Sequence, residues 1–269
     1  MNFWKMRIIS LISVFLMAAI ACFVIFAVDK RSPGLNYKAA DKTIIESVDG
    51  PEILTDIVDF KPTSASMPLD VPEYLQKYNA SCETAAIRAA MLYFDVDFSE
   101  DDILEEIGWS NPPRYYDKDG RLVWGNPQDK FVGNPNPKRI YIDGYGVYNQ
   151  PIYNFLADHG FWESISKTDW DTSELLNYVE RGYPVIAWVA GDFKKRTPGI
   201  MISPEGVENP WIFAEHAVVI RGFNEKGIDI MDPAPGVGYR RTTYQEFDDG
   251  FSSSGNMAIA VIPGEIAEL

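Results

Sequence analysis

The feature that most constrains this chain lies at its start, where the 21 residues from Ile8 to Val28 carry no charge and are interrupted only by Ser10 and Ser13. As a helix rising about 1.5 Å per residue, such a run matches the roughly 30 Å hydrocarbon core of a bilayer. Lys5 and Arg7 precede it, it is longer than the core of an ordinary signal peptide, and no convincing small-x-small cleavage site follows. The run therefore predicts one transmembrane helix acting as an uncleaved signal anchor over residues 1–28. Two alternatives stay open. The stretch Ala18-Ala19-Ile20-Ala21-Cys22 resembles a lipobox that would leave a lipidated Cys22 at the mature N-terminus, although Phe23 to Val28 stays apolar where a lipoprotein turns polar, and simple secretion is the other. The flanking charges, Lys5 and Arg7 against Lys30 and Arg31, are too even to set orientation. An extracellular, membrane-attached domain is expected from the N-terminal position of the run.

From residue 29 onward 22 Lys and Arg face 39 Asp and Glu, a net charge of −17. Nucleic acid requires a basic footprint and is excluded as a partner; the acidity predicts a self-repelling soluble surface or a preference for cationic substrates. Of the two cysteines one lies in the apolar run, so the exported part has no disulfide within it. A lone thiol in an oxidising compartment needs a buried structural role or a chemical one, which singles out Cys82.

Residues 29–66 mix charge, Pro, Gly and Ser and read as a linker or stalk, and residues 67–269 as one domain with a sizeable core. Ser99 and Asp102 form a capping-box pattern before a helix that Gly108 ends. Pro151 opens Ile152–His159 ahead of Gly160, Thr172 or Ser173 opens Glu174–Arg181 ahead of Gly182, and Thr243 with Glu246 starts a short helix. Pro184–Val189 has the continuous apolar character of a central strand, Ala217–Phe223 and Gly227–Met231 flank the turn Asn224-Glu225-Lys226, and Met257–Ile262 is a further strand. Helices first and antiparallel strands after make an α+β pattern. Residues 109–150, rich in Gly, Pro and aromatics, read as a long ordered loop lining a cleft.

Cys82 stands just before Glu83-Thr84-Ala85-Ala86-Ile87-Arg88-Ala89-Ala90-Met91-Leu92, a run of helix formers without Gly or Pro. That puts the thiol in a first helical turn, where unpaired N–H groups and the dipole favour the thiolate and a lowered pKa. A small buried hydrophobe at a helix start is the alternative. Only two histidines can serve as base. His159 ends a helix, where an imidazole commonly caps carbonyls. A hairpin centred on Asn224 sets His216 opposite or nearly opposite Asp232, the placement a carboxylate needs to orient an imidazole. Asp229 is a rival at an odd separation and faces the other side of the strand, while an edge histidine beside an exposed Asp-Pro turn is the structural alternative for the pair. No H-E-x-x-H occurs, two histidines and one exported cysteine do not make a usual zinc site, and the twelfth position counted from Asp117 is Gln128 rather than the Glu of a calcium loop. No metal and no cofactor are expected, and Asp117-Lys118-Asp119-Gly120 reads as a turn.

Leu69-Asp70-Val71-Pro72, Gln76, Asn79-Ala80-Ser81-Cys82-Glu83, Trp124-Gly125-Asn126-Pro127, Phe131-Val132-Gly133, Gly144-Tyr145-Gly146-Val147-Tyr148, Glu215-His216-Ala217-Val218-Val219 and Asp232-Pro233 together resemble the peptidases that cleave double-glycine leaders from bacteriocin precursors, and more closely their free-standing C39-like relatives. The likeness runs from about Pro68 to Ile262. It implies a papain-like fold, N-terminal helices packed on an antiparallel sheet, and a catalytic set of Cys82 as nucleophile, His216 as base, Asp232 as orienting acid and Gln76 as oxyanion donor, with peptide or protein as substrate. Glu83 departs from the glycine common after the nucleophile in the leader-cleaving enzymes. Other readings are a silent peptide-binding module, or an amidase or acyl transferase acting on cell-wall peptides.

Overall fold

The computed structural model describes residues 66–264. The expected membrane anchor and the stalk up to residue 65 lie outside them, and among the described residues no helix is long and apolar enough to cross a membrane. Ser66, assigned to the stalk by composition, is already hydrogen-bonded to Phe223, its N–H to the Phe223 carbonyl at 3.1 Å.

Five helices are present among the described residues: α1 (Cys82–Leu92), α2 (Glu100–Ile107), α3 (Asn149–Asp158), α4 (Thr172–Glu180) and α5 (Tyr244–Ser252). In α1, Ala85, Ala86, Ala89 and Ala90 expose nothing. Four methyl side chains on a helix of high intrinsic propensity let its backbone lie close to a sheet. The capping boxes form as expected: Ser99 Oγ accepts from the Asp102 N–H at 3.1 Å and Thr243 Oγ1 from the Glu246 N–H at 3.2 Å, with both carboxylates reaching back. Helix α3 begins at Asn149, two residues before the expected proline start; Pro151 fits inside the first turn because N–H groups there have no intrahelical partner. Helix α4 is capped by Asp171, not by Thr172 or Ser173, its Oδ1 accepting the Ser173 N–H at 2.7 Å.

Residues 109–150 are not a plain loop. They carry β1 (Trp109–Ser110), β2 (Tyr115–Tyr116), β3 (Leu122–Val123), β4 (Phe131–Gly133) and β5 (Gly144–Gly146), each too short to show an alternation in the sequence. The remaining strands are β6 (Ile165–Lys167), β7 (Val185–Ala190), β8 (Gly199–Ile202), β9 (Glu208–Trp211), β10 (Glu215–Asn224), β11 (Gly227–Asp232), β12 (Gly238–Thr242) and β13 (Ala258–Ala260). The main sheet has the order β12-β11-β10-β7-β13-β6 with every neighbour antiparallel, and β1-β4-β5 and β2-β3-β8-β9 form two small sheets beside it.

Strand β7 shows why its sequence reads as a continuous apolar run. Ile186 and Trp188 enter a core shared with α1, α2 and α3, while Val185, Ala187 and Val189 enter a second core with Leu175, Leu176 and Val179 of α4 and Phe247 and Phe251 of α5. Both faces of the strand are buried, so alternation disappears. The fold is mixed α+β, with the early helices on one face as expected and α4 and α5 covering the other. Truncating Ile186, which exposes nothing, removes packing worth about 2–5 kcal/mol.

Candidate active site

Cys82 is the first residue of α1, and no side chain caps that end of the helix, because Ser81 Oγ turns instead to the Tyr78 N–H and carbonyl at 3.1 and 3.2 Å. As the first helical residue, Cys82 has no intrahelical acceptor for its N–H, which is left as a donor beside its own sulfur. Cys82, Gln76, His216 and Asp232 line one cavity of about 340 Å³, together with Tyr141 and Tyr145 from the aromatic segment. Gln76 is held by backbone as well as side chain: its N–H donates to the Pro233 carbonyl at 2.8 Å, tying it to the residue after Asp232. Next to it the Lys77 N–H donates to the buried Glu100 at 2.6 Å. The Gln76 amide points at the Tyr78 carbonyl, 2.7 Å away.

His216 Nε2 donates to Asp232 Oδ1 at 2.6 Å, which leaves Nδ1 as the basic nitrogen of the neutral ring. The register that produces this differs from the expected one. Asn224 pairs with Gly227 rather than sitting at the centre of the hairpin, and a bulge between Ile220 and Gly222 shifts the ladder so that Val219 faces Met231. Continued one step, that register sets Asp232 across from Val218, making His216 its diagonal neighbour and not its opposite partner. Side chains two positions apart on a strand share a face, so the pair still meets. Asp232 also accepts the Ala234 N–H at 2.9 Å, and its Oδ2 makes an ion pair with the Arg240 guanidinium at 2.6 Å. Burial alone would raise its carboxyl; the hydrogen bond and charge of His216, with smaller help from Ala234 and Arg240, hold it below the ordinary carboxylate value.

The thiol departs from expectation. Its sulfur donates to Glu83 Oε2 at 3.2 Å, and Cys82, at 6 % exposure, lies against a second buried carboxylate, Glu215. Burial first, then the charges of Glu83 and Glu215, push the thiol well above its usual value, outweighing a backbone hydrogen bond at Ala217 that favours the thiolate. A helix start by itself lowers a thiol, the opposite sign, and desolvation beside like charge wins. Glu83 and Glu215 are raised in turn, each chiefly by burial and Glu215 also by Glu83. The close approach of β5 completes this arrangement: a Cβ on Gly146 would come within 2.1 Å of Glu83 Oε1, whose acceptor position is taken by the Val147 N–H at 2.6 Å.

His159 is elsewhere. It bonds through Nε2 to Glu106 at 2.8 Å and packs at a tilt against Phe98 and Phe155, rather than capping carbonyls as expected. Asp229 pairs with Arg241 through two 2.8 Å contacts. The Asp117 side chain closes its turn by accepting the Asp119 and Arg121 N–H groups at 2.9 Å. From the sequence Glu83 stands out only as a departure from the glycine common after the nucleophile, Glu215 only as part of the segment around His216, and Arg240 not at all. Nothing local marks Arg240, because β12 is recognisable only through its pairing with β11; Glu83 and Glu215 adjoin the two chemically suspect residues, and that adjacency was the available signal.

A thiol at an uncapped helix start, an imidazole fixed by a carboxylate and an amide on the same wall can together carry acyl transfer to sulfur. The fold is that of a cysteine peptidase. The Peptidase_C39 like family matches residues 68–259, and the chain belongs to it. A C39-like peptidase from Bacillus anthracis superposes with a TM-score of 0.63 at 20% identity, covering 75% of this chain and 99% of that one. More remote are the peptidase domain of Streptococcus ComA, a bi-functional ABC transporter (TM-score 0.43, 16% identity, 71% and 97% covered), and a double glycine motif protease from an AMS/PCAT transporter in complex with the leader peptide (0.42, 15%, 74% and 98%). Among curated proteins none matches the sequence significantly.

Proposed function

We propose that the chain hydrolyses peptide bonds outside the cytoplasm, at the membrane surface, through Cys82, His216, Asp232 and Gln76. The observation that carries the reading is the convergence of these four residues, from the loop before α1, the start of α1, β10 and the end of β11, on one cavity with the His216 ring already bonded to Asp232. Cys82 rests as a thiol. As the substrate carbonyl reaches the sulfur, His216 Nδ1 takes the thiol proton, the sulfur–carbon bond forms, and the charge on the carbonyl oxygen is met by the Cys82 N–H and the Gln76 amide, which swings from the Tyr78 carbonyl. Asp232 stabilises the imidazolium. His216 then protonates the leaving amine, and water, deprotonated by the same ring, releases the acyl group from sulfur.

Turnover of defined peptides, cell-wall peptides and amine acceptors tests this directly. Peptide hydrolysis that Cys82→Ala and His216→Ala both abolish supports it, whereas transfer to amines alone, or binding without turnover, refutes it. Attachment and orientation rest on the uncharged Ile8–Val28 run. Protease added to intact wall-stripped cells should digest the domain, and protection from it would place the domain on the other side of the membrane.

A further inference from the structure

Two carboxylates that peptide hydrolysis does not use lie directly behind the sulfur. Glu83 comes from the first turn of α1 and Glu215 from the start of β10, yet with Cys82 they bring one sulfur and two carboxylate oxygens within 4.8 Å of one another. Glu83 exposes nothing and Glu215 only 5 %. Neither makes an ion pair with a lysine or arginine among the described residues. Glu215 Oε1 is shut off from solvent and has no hydrogen-bond partner. Buried carboxylates are as a rule paired, hydrogen-bonded or bound to a metal, and an orphaned buried acceptor costs free energy until something reaches it. The clustered atoms define what fits. Thiolate with carboxylate suits a borderline-soft dication of the zinc type, whereas magnesium and calcium take oxygen ligands alone. Cys82 and Glu215 both line the solvent-reached cavity, so an ion has an entry path and a place for a bound water. Behind, the backbone at Gly146 closes the pocket against both carboxylates, a Cβ there lying 2.1 Å from Glu83 Oε1 and 2.9 Å from Glu215 Oε2.

We propose that Cys82, Glu83 and Glu215 form a binding site for a zinc-type divalent cation, which silences the enzyme by taking the nucleophilic sulfur as a ligand. The silencing, though not the binding, rests on Cys82 being the nucleophile. On binding, the thiol proton and any proton held by Glu83 or Glu215 leave to solvent, the sulfur and one oxygen of each carboxylate bond the ion, and a water from the cavity completes the fourth position. Glu83 Oε2, released from the thiol hydrogen bond, turns to the metal while Oε1 keeps the Val147 N–H. His216 remains on Asp232 and is not a ligand.

Cadmium is a suitable probe, because a cadmium–thiolate bond gives an ultraviolet charge-transfer band. It would be titrated into the reduced full-length protein carrying Cys22→Ser, in which Cys82 is the remaining thiol, with peptide turnover measured in parallel before and after a chelator. The expected result is a saturable band that Cys82→Ser abolishes, that His216→Ala keeps, and that Glu215→Gln and Glu83→Gln each weaken by at least about tenfold, since even an outer partner of a metal ligand is worth 10–100-fold. Turnover should fall along the same titration and return with the chelator. The proposal is overturned by the absence of a band, by full affinity in both glutamine variants, or by loss of the band in His216→Ala, which would put the ion on a Cys–His pair. Should neither glutamine variant fold, the His216→Ala and Cys82→Ser titrations still decide. A band without turnover in metal-free buffer would leave the metal site standing and sink the peptidase reading; turnover without a band does the reverse.

Discussion

Replacing Asp232 by Asn changes one atom in a side chain that is 2 % exposed, and the structure allows its effect to be sized. The carboxylate faces a ring whose side chain is 12 % exposed, with charge centres about 4 Å apart once the ring is protonated. At an effective dielectric of about 20 that attraction is about 4 kcal/mol, and the little solvent reaching the ring trims it to roughly 2–4 kcal/mol. The loss falls on the step that creates imidazolium, so kcat/KM should drop about 30- to 1000-fold. The Asn carbonyl can still accept the Nε2 proton, which preserves the tautomer, but its NH₂ then faces the Arg240 guanidinium with which Asp232 now makes an ion pair at 2.6 Å. Adding Arg240→Gln removes both that clash and the cation beside the imidazolium, and should restore part of the lost rate. Asp232 is held below its ordinary value, so its contribution to stability is present above the unfolded value of about 3.9 and is lost as pH falls through the folded one. Acidification below about pH 4 should therefore cost the parent more stability than the Asn variant. The assay is kcat/KM for a fluorogenic peptide across pH, with thermal melts of each variant. An Asp232→Asn protein with the parental melt, rate and pH profile would refute the electrostatic role given to Asp232.

Gln76→Ala should cost on the order of 3 kcal/mol in kcat with KM little changed, the scale of one lost oxyanion donor; a change confined to KM would make Gln76 a substrate contact only. Alkylation of Cys82 by a small neutral reagent, followed against pH, should give an apparent pKa above the roughly 8.5 of a free cysteine, since burial and two carboxylates disfavour the thiolate. A lowered value would mean that the helix start dominates and that a thiolate is preformed.

What could be read from the chain was what is local. The boxes at Ser99 with Asp102 and Thr243 with Glu246 are closed by groups three residues apart, and the structure closes them both. Strand β7 announced itself because both its faces are buried. By contrast β12, with Tyr239 exposed and two arginines, has no apolar signature and exists through its pairing with β11. The hairpin was legible, yet its register was not: the bulge after Ile220 is a feature of the sheet, and an arithmetic midpoint cannot see it. The catalytic candidates were legible because a chain with one thiol outside its apolar run and two histidines offers few choices. Their electrostatics were not. Glutamates are almost never fully buried, so the adjacency of Glu83 and Glu215 to Cys82 and His216 in the chain does not by itself tell that both would flank the sulfur and reverse the shift predicted for it.

The central claim, that Cys82 attacks carbonyl carbon with His216 as its base, is met most directly by covalent capture. A peptide ending in a thiol-directed electrophile, incubated with the full-length protein and followed by mass-spectrometric mapping, should modify Cys82 alone, not at all in Cys82→Ala, and far more slowly in His216→Ala. Modification confined to Cys22, or capture at Cys82 that proceeds at the parental rate without His216, would contradict it.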